Sequence, residues 1–468
     1  MGLPCPTNHP LRSTSAAMLS QLLTITRNTF VESIRQPIFI ILILAAGLGQ
    51  IINVLLSAYS MGYTEDALEV SGDDKLLLDM GLATVLGIAT LLAAFIATSV
   101  LSREIENKTA LTVISKPVGR PLFITGKFLG ASGAVLMAAT IMLVFFLFAI
   151  RHEVMSTARD TIDGPVLVFT SLALLVSLGL ASWTNYFYGW VFPSTASIIL
   201  LPAILVAYLV TLSLNKDWVF VGPQETFKPQ ILMAAICIGM ALLVLNAVAI
   251  AASTRLGQVM TIVLCAGVFM GGLLSNHLLG RFAFQNSHIA TIRSVQEPFP
   301  PNALNRAGDT YAISLEDPSQ SIIPVGTNIY YGPNPAGVAL AVPPQGEFLG
   351  DPIRDVEVRN PDAPSALVVR SVDAATQTYT LVNVNNHPVA RPPRAGDFIF
   401  LQPTRHNPVA FVAWSVVPNL QVFWLSDAIT QGHPIPPRYL LLTGAYTGVQ
   451  VLGLLSLAIL LFQRRDVG

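Results

Sequence analysis

Arg103, Lys108, Lys116, Arg120 and Lys127 stand between Ser102 and Gly130, opposed only by Glu104 and Glu106. Long apolar runs flank this basic island on both sides. Such residues at this spacing do not make a catalytic centre. They make a docking surface, in which charge sets register and interleaved apolar side chains fill a partner's groove. Motifs for covalent chemistry are missing elsewhere in the chain. Gly126-Lys127 is followed by Phe128, and position 121 is Pro, so no phosphate-binding loop of the G-x-x-x-x-G-K-S/T kind forms. Neither H-E-x-x-H nor G-x-S-x-G occurs, and the histidines (His9, His152, His277, His288, His387, His406 and His433) are scattered. Cys5, Cys237 and Cys265 have no metal-ligand spacing and cannot build a disulfide framework. The expectation is a protein that is not an enzyme, with no catalytic residue, metal or bound cofactor. If it performs work, the energy enters from a partner.

The elements that hold this island are membrane spans. The chain is 53% apolar and 11% charged, against about 25% charge in a soluble domain. Eight runs approach the roughly 20 residues needed to cross about 30 Å of hydrocarbon. They fall at Pro37–Tyr59, Met80–Leu101, Phe128–Ile150, Pro165–Asn185, Pro193–Leu212, Ile231–Ser253, Gln258–Leu279 and Tyr439–Phe462. Before them, residues 1–17 read as a disordered leader. Residues 18–36 read as an amphipathic helix on the membrane surface, with Leu19, Leu22, Leu23, Phe30 and Ile34 interleaved by Arg27, Glu32 and Arg35. Cations in short loops set orientation. Arg12, Arg27, Arg35, the five island cations, Arg255, Arg464 and Arg465 outweigh Lys75, Arg151, Arg159, Lys216 and Lys228 on the other side. Both termini are therefore expected in the cytoplasm, at a cell's inner (plasma) membrane.

Residues 280–438 have a different character, rich in Pro, Gly, Asn and Asp. Short strands are expected at Arg354–Arg359, Ala366–Ser371, Thr376–Asn383 and Asp397–Gln402, with Gly280–Gly350 less regular. The expected fold class is thus an all-α polytopic membrane protein of about eight transmembrane helices, with a small β-rich extracytoplasmic domain inserted before the last helix. No Asp, Glu, Lys or Arg falls within the eight runs as placed, which argues against an ion-coupled pump and an intramembrane enzyme. Gln50, Asn53, Asn246, Asn276 and His277 are the polar groups at depth, and each is expected to bond between helices, with His277, near the outer end of its run, equally placed to face headgroups. Gly81, Gly87, Gly130, Gly133, Gly271 and Gly272 are expected to allow close helix approach and to offer a dimer face.

Within the island, residues 103–115 can form a short helix that Lys116-Pro117 ends. Arg120-Pro121 opens a second helix that runs through Phe123, Gly126 and Lys127 into the next span. The result is an elbow continuous with a spanning helix. This stretch, SREIENKTALTVISKPVGRPLFITGKFLG, resembles the cytoplasmic elbow of type-2 ABC transporter permeases. The features in common are Glu104 and Glu106, Ser115-Lys116-Pro117, Val118, Arg120, Phe123 and Gly126-Lys127. Lys108 departs from the glycine often found there. Val417–Phe423, the final span and Gln463-Arg464-Arg465-Asp466 resemble the way such permeases end. The resemblance covers about Met18–Leu212 and Val416–Gly468. It leaves the span pair 231–279 and the β-rich domain as additions to a six-span core.

The resemblance implies a permease subunit of an ATP-binding-cassette transporter that moves a substrate across the membrane. ATP would be bound and hydrolysed by a separate ATPase subunit, and a second permease copy or paralogue would complete a dimer. Leu111 and Ile114 would fill a groove on the ATPase. Glu104, Glu106, Lys108 and Arg120 would set register there, with Lys116, Pro117 and Phe123 completing the coupling elbow. The partners expected are this ATPase, the second permease and membrane lipids, with no nucleic acid. The alternative is a membrane-anchored scaffold or force-transmitting subunit whose extracytoplasmic domain binds an envelope partner.

Overall fold

In hydrocarbon, backbone N–H and C=O groups have no water to bond, so a chain this apolar satisfies them as helices. The structure, a computed structural model, describes residues 12–60, 70–102, 119–154, 162–222, 229–296, 298, 304–316, 323–333, 340–344, 348, 350, 351, 365–373, 377–389, 391–430 and 435–464. Contacts divide the chain into two units, residues 1–270 with 420–468, and residues 271–419.

The first unit is helical. It contains α1 (Arg12–Ile34), α2 (Pro37–Ser60), α3 (Val70–Ala97), α4 (Arg120–His152), α5 (Gly164–Tyr188), α6 (Phe192–Leu212), α7 (Pro229–Ser253) and most of α8 (Gln258–Leu273). After the second unit's α9 (Pro408–Val416), the chain returns as α10 (Pro437–Gln463). Local sequence sets the ends. The Asp163 side chain accepts from Val166 N at 3.1 Å and caps α5, which stops at left-handed Gly189 (φ 67°). Prolines open α4, α6 and α10 within the first turn, where a missing N–H costs little. The described α1 begins at Arg12 rather than at Met18.

Among the described residues, seven helices are long and apolar enough to cross a membrane, or eight if the interrupted pair Gln258–Leu273 and Asn276–Ala283 counts as one. The seventh expected run is therefore broken. Ser275 and Asn276 interrupt the apolar sequence, and a π turn at Asn276–Gly280 replaces the α-helix. The helices are longer than the uncharged runs as placed. The spans run past the apolar centres and include Lys75 and Asp79 in α3, and Lys127 and Arg151 in α4. Among the spanning helices, α7 is the most enclosed: 67% of its apolar window is buried, against 22% for α5 and for α10. It packs on α3, α4 and α10. The first of the two spans read as an addition is thus the centre of the bundle.

At depth, the amide of Gln50 donates to Gly81 O (3.1 Å), Asn53 to Thr84 Oγ1 (3.2 Å) and Asn246 to Ser132 Oγ (2.8 Å). All three tie helix to helix, as expected. Asn276 instead bonds within the second unit, accepting from Trp414 Nε1 (3.0 Å) and Asn419 Nδ2 (2.9 Å), and His277 is exposed. The glycines divide similarly. A Cβ on Gly81 would stand 2.4 Å from Phe146, and one on Gly130 would stand 2.5 Å from Thr26 O, whereas Gly87 and Gly271 face open space.

The second unit is built on an antiparallel six-stranded sheet in the order β4 (Tyr330–Gly332), β7 (Phe398–Phe400), β2 (His288–Gln296), β3 (Thr310–Glu316), β6 (Thr378–Val384), β5 (Ala366–Asp373). β1 (Phe284–Gln285) and β8 (Arg405–His406) form a separate pair. One sheet face buries Ile292, Tyr311, Ile313, Leu315, Leu381 and Ile399, and the other buries Val368, Val382 and Val384. The strands expected near 366, 376 and 397 fall on β5, β6 and β7. The one at Arg354–Arg359 lies outside the described residues. The stretch expected to be less regular holds β2 and β3, the middle of the sheet. Residues 420–438, assigned from sequence to the β-rich domain, belong to the helical unit. Leu420, Phe423 and Leu425 are buried there, and Tyr439 Oη donates to Val422 O at 2.5 Å.

Candidate functional site

Two described elements flank the expected elbow, and both are anchored. α3 passes into a π turn at Thr98–Ser102, a geometry that often marks functional positions in helices. There Ser99 Oγ accepts from Gln36 Nε2, at the joint between α1 and α2. Glu104, Glu106, Lys108, Leu111, Ile114, Lys116 and Pro117 lie outside the described residues. Arg120 and Phe123 are described, and they show what the second arm of the elbow touches.

Arg120 Nη1 donates to Gln463 O at 2.9 Å. Arg255 Nε, from the turn after α7, donates to Leu461 O at 3.0 Å. The last carbonyls of a helix have no partner within it and carry the negative end of its dipole. Two guanidinium groups thus hold the end of α10. Beside them the rings of Phe123 and Phe462 stack with centroids 5.9 Å apart and planes 23° apart, and both residues are buried. Lys127 Nζ lies 5.6 Å from the Phe123 centroid and 3.8 Å from Glu32 Oε2 of α1. This buried cation sits about 10 Å along α4 at 1.5 Å per residue. Its partner and the ring face compensate its lost hydration.

α1 seats directly on the same arm. A Cβ on Gly126 would stand 2.7 Å from Ile25 Cγ2, and one on Gly130 would stand 2.6 Å from Thr29 Cβ. Only glycine at both positions lets the two backbones approach this closely. The packed face of α1 is made by Thr29, Ser33 and Ile34, while Leu19 and Leu23 are exposed. The start of α4 is therefore one packed body with α1 and the end of α10. Sequence reading found Arg120, Phe123 and Lys127 but missed Glu32, Gln36, Arg255, Phe462 and Gln463 as their partners.

The other end of α4 carries a second polar cluster. Arg151 Nη1 lies 3.9 Å from the buried carboxylate of Asp163, and its Nη2 donates to Leu214 O at 3.0 Å. Lys216 Nζ pairs with Glu153 Oε2 at 3.0 Å. Asp163-Gly164-Pro165 ahead of an apolar run was a legible helix-cap signal. Between α2, α4 and α5 lies a cavity of about 440 Å³ with apolar walls such as Leu48, Ile51, Phe148 and Leu167. Among the described residues no group of His, Cys, Asp and Glu has the geometry for a metal ion.

Releasing one cap is expected to free the last turn of α10. A hydrogen bond contributes about 1 kcal/mol net, so Arg120→Ala and Arg255→Ala should each speed amide exchange at residues 460–464 about fivefold. Hydrogen–deuterium exchange read by mass spectrometry checks this. Unchanged exchange in both variants would mean that the caps do not hold the helix end.

No curated protein and no solved structure matches the chain. Residues 23–183, from α1 across the whole elbow and into α5, match the model of the ABC-2 family transporter protein. The C-terminal stretch in which a second resemblance was read lies beyond the matched residues. The match over residues 23–183 supports a type-2 ABC permease, and the apolar helices a multi-pass membrane protein.

Proposed function

We propose that the chain is the permease subunit of an ATP-binding-cassette transporter, driven by a separate ATPase that docks on the elbow at residues 102–127. The observation that carries this reading is the family match running unbroken across both arms of the elbow. The packing of the second arm supports it, because Arg120, Phe123 and Gly126 bind that arm to α10 and α1. A push at the elbow would then reach three helices at once. The termini and elbow would face the cytoplasm at the inner (plasma) membrane, as the loop cations favour. A second permease copy or paralogue would complete the transporter. The apolar cavity supports a cargo with a hydrophobic part.

The test is co-purification with the candidate ATPase, using the intact chain and a Glu104→Ala/Leu111→Ala/Arg120→Ala variant. The intact chain should retain the ATPase, and the variant should insert normally and lose it. Equal retention would refute docking at the elbow. No retention by the intact chain would refute the transporter reading and favour the scaffold alternative, for which the folded six-stranded unit is the relevant observation.

A further inference from the structure

The second unit has an apolar face that its own fold leaves uncovered. Helix α9 reads PVAFVAWSV, and none of its residues is buried. Val409, Val412 and Val416 are 79%, 62% and 71% exposed. The spacing of three and then four residues puts them on one side of the helix. The segment against which α9 packs, Asn276–Ala283, exposes Leu278 and Phe282, and Leu274 just before it is exposed too. No charged residue occurs from Asn407 to Ser426. A folded aqueous domain does not leave such a surface to water without a use for it.

Chain continuity restricts what can cover it. Leu273 ends α8, an apolar helix, and Asn276 follows three residues later. At 3.8 Å per residue the turn lies within about 11 Å of that helix end. At the other side of the face, Asn419 is joined directly to Leu420, which is buried in the helical unit. Both ends of this surface are therefore tethered to the membrane-spanning part of the chain. A stable protein interface buries on the order of 1,000 Å² or more, beyond what three valines on a nine-residue helix supply. An interfacial helix needs only a shallow apolar face and a polar margin.

The margin is present. Trp414 and Phe411 cluster with Phe284 and His406, with ring centroids 5.1–6.0 Å apart. The Trp414 N–H is satisfied by Asn276, as an indole at a membrane boundary requires. The guanidinium of Arg281 lies 4.6 Å from the Phe282 centroid. Arg405 and His406 precede α9 and are exposed. Aromatic rings with cations at one edge of an apolar face are the composition of a bilayer's interfacial layer.

We propose that α9 and Leu274–Ala283 form a lipid-binding foot. It lies in the interfacial layer of the bilayer that the spans cross. Val409, Val412 and Val416 enter the acyl boundary, and Arg281 and Arg405 meet headgroup phosphates. The six-stranded unit would then be held to the membrane by its own base.

Spin labels on the full chain in phosphatidylcholine/phosphatidylglycerol nanodiscs test this. Cys5, Cys237 and Cys265 are first replaced by Ala. A nitroxide is then placed at Val412→Cys or, separately, at Val409→Cys. Both sites are exposed, so neither change removes packing. The control is Val325→Cys, on a 54% exposed turn residue of the same unit. Oxygen should relax the α9 labels severalfold more than a water-soluble nickel chelate does, with the order reversed at Val325. Dominance of the nickel chelate at both α9 sites would overturn the foot. Low accessibility to both reagents would also overturn it, in favour of a second copy or a protein partner.

Discussion

Replacing Gly130 with leucine is expected to unseat α1 from α4. The nearest atoms to an added Cβ are Thr26 O at 2.5 Å, Thr29 Cβ at 2.6 Å and Phe30 N at 3.0 Å. Two of these are backbone atoms and the third is the first carbon of a β-branched side chain, so none can swing aside. Even Gly130→Ala overpacks the crossing, at a cost of about 1–3 kcal/mol. Removing a mid-helix glycine returns about 0.5–1 kcal/mol, which offsets part of that. Leucine adds three more carbons at a place with no room for the first. α1 should therefore leave its seat, and Lys127 should lose Glu32, its 3.8 Å partner. Trypsin cleavage after the exposed Arg27 reports the opening, because proteolysis tracks the open population. Gly130→Ala should speed cleavage about tenfold, at 1.4 kcal/mol per decade, and Gly130→Leu by far more. Gly87→Ala, where an added Cβ meets nothing within 4 Å, should match the parent protein. Parent-like cleavage in Gly130→Leu would show that the crossing does not seat α1.

How much of this was legible in the sequence depends on the distance over which each feature is specified. The spans were legible because a bilayer demands about 20 apolar residues in a row. Their ends were not, because Lys75 and Lys127 can remain helical with polar ends and partners that a hydropathy pattern does not contain. The central place of α7 was hidden for a related reason. A helix apolar on every side has no face to point inward, so Ile231–Ser253 reads the same at the centre as at the rim. In the sheet, β3 alternates buried Tyr311, Ile313 and Leu315, a period-two signal that was passed over when Gly280–Gly350 was read as less regular. β2 carries no such signal, because bulges after His288 and after Ile292 break its period of two. Residues 103–118 of the island lie outside the described residues, and its charges and prolines were plain in the sequence. Its anchorage was not, because Arg120 meets Gln463 across 343 positions of chain.

Asp397→Ala is expected to destabilise the six-stranded unit by about 3 kcal/mol, the low end of the ~3–5 kcal/mol for breaking a buried ion pair. The carboxylate is only 4% exposed. Its Oδ1 accepts from Arg391 Nη2 at 2.5 Å, and its Oδ2 accepts from Arg391 Nη1 at 2.8 Å and Arg394 N at 2.9 Å. The hydrogen bond that Arg391 donates to Asp397 is the leading reason that its guanidinium is held above its ordinary pKa. Backbone bonds make the loss structural as well. Asp397 O accepts from Ile292 N at 2.7 Å, and Arg391 O accepts from Tyr331 Oη at 2.6 Å. The turn from Arg391 to Asp397 thus staples β7 to β2 and β4. The low end of the range applies because the Arg391 side chain keeps 27% of its exposure and can regain some hydration. With a urea slope of about 1–3 kcal/mol per molar, pulse proteolysis of residues 271–419 should show the midpoint falling by about 1–3 M. An Arg391→Met/Asp397→Leu double variant should lose less than Asp397→Ala, because it leaves no cation without its partner. A shift below about 0.5 kcal/mol in Asp397→Ala, within the range of ordinary surface changes, would show that the pair is dispensable. A double variant worse than the single would show instead that Arg391 contributes mainly through packing.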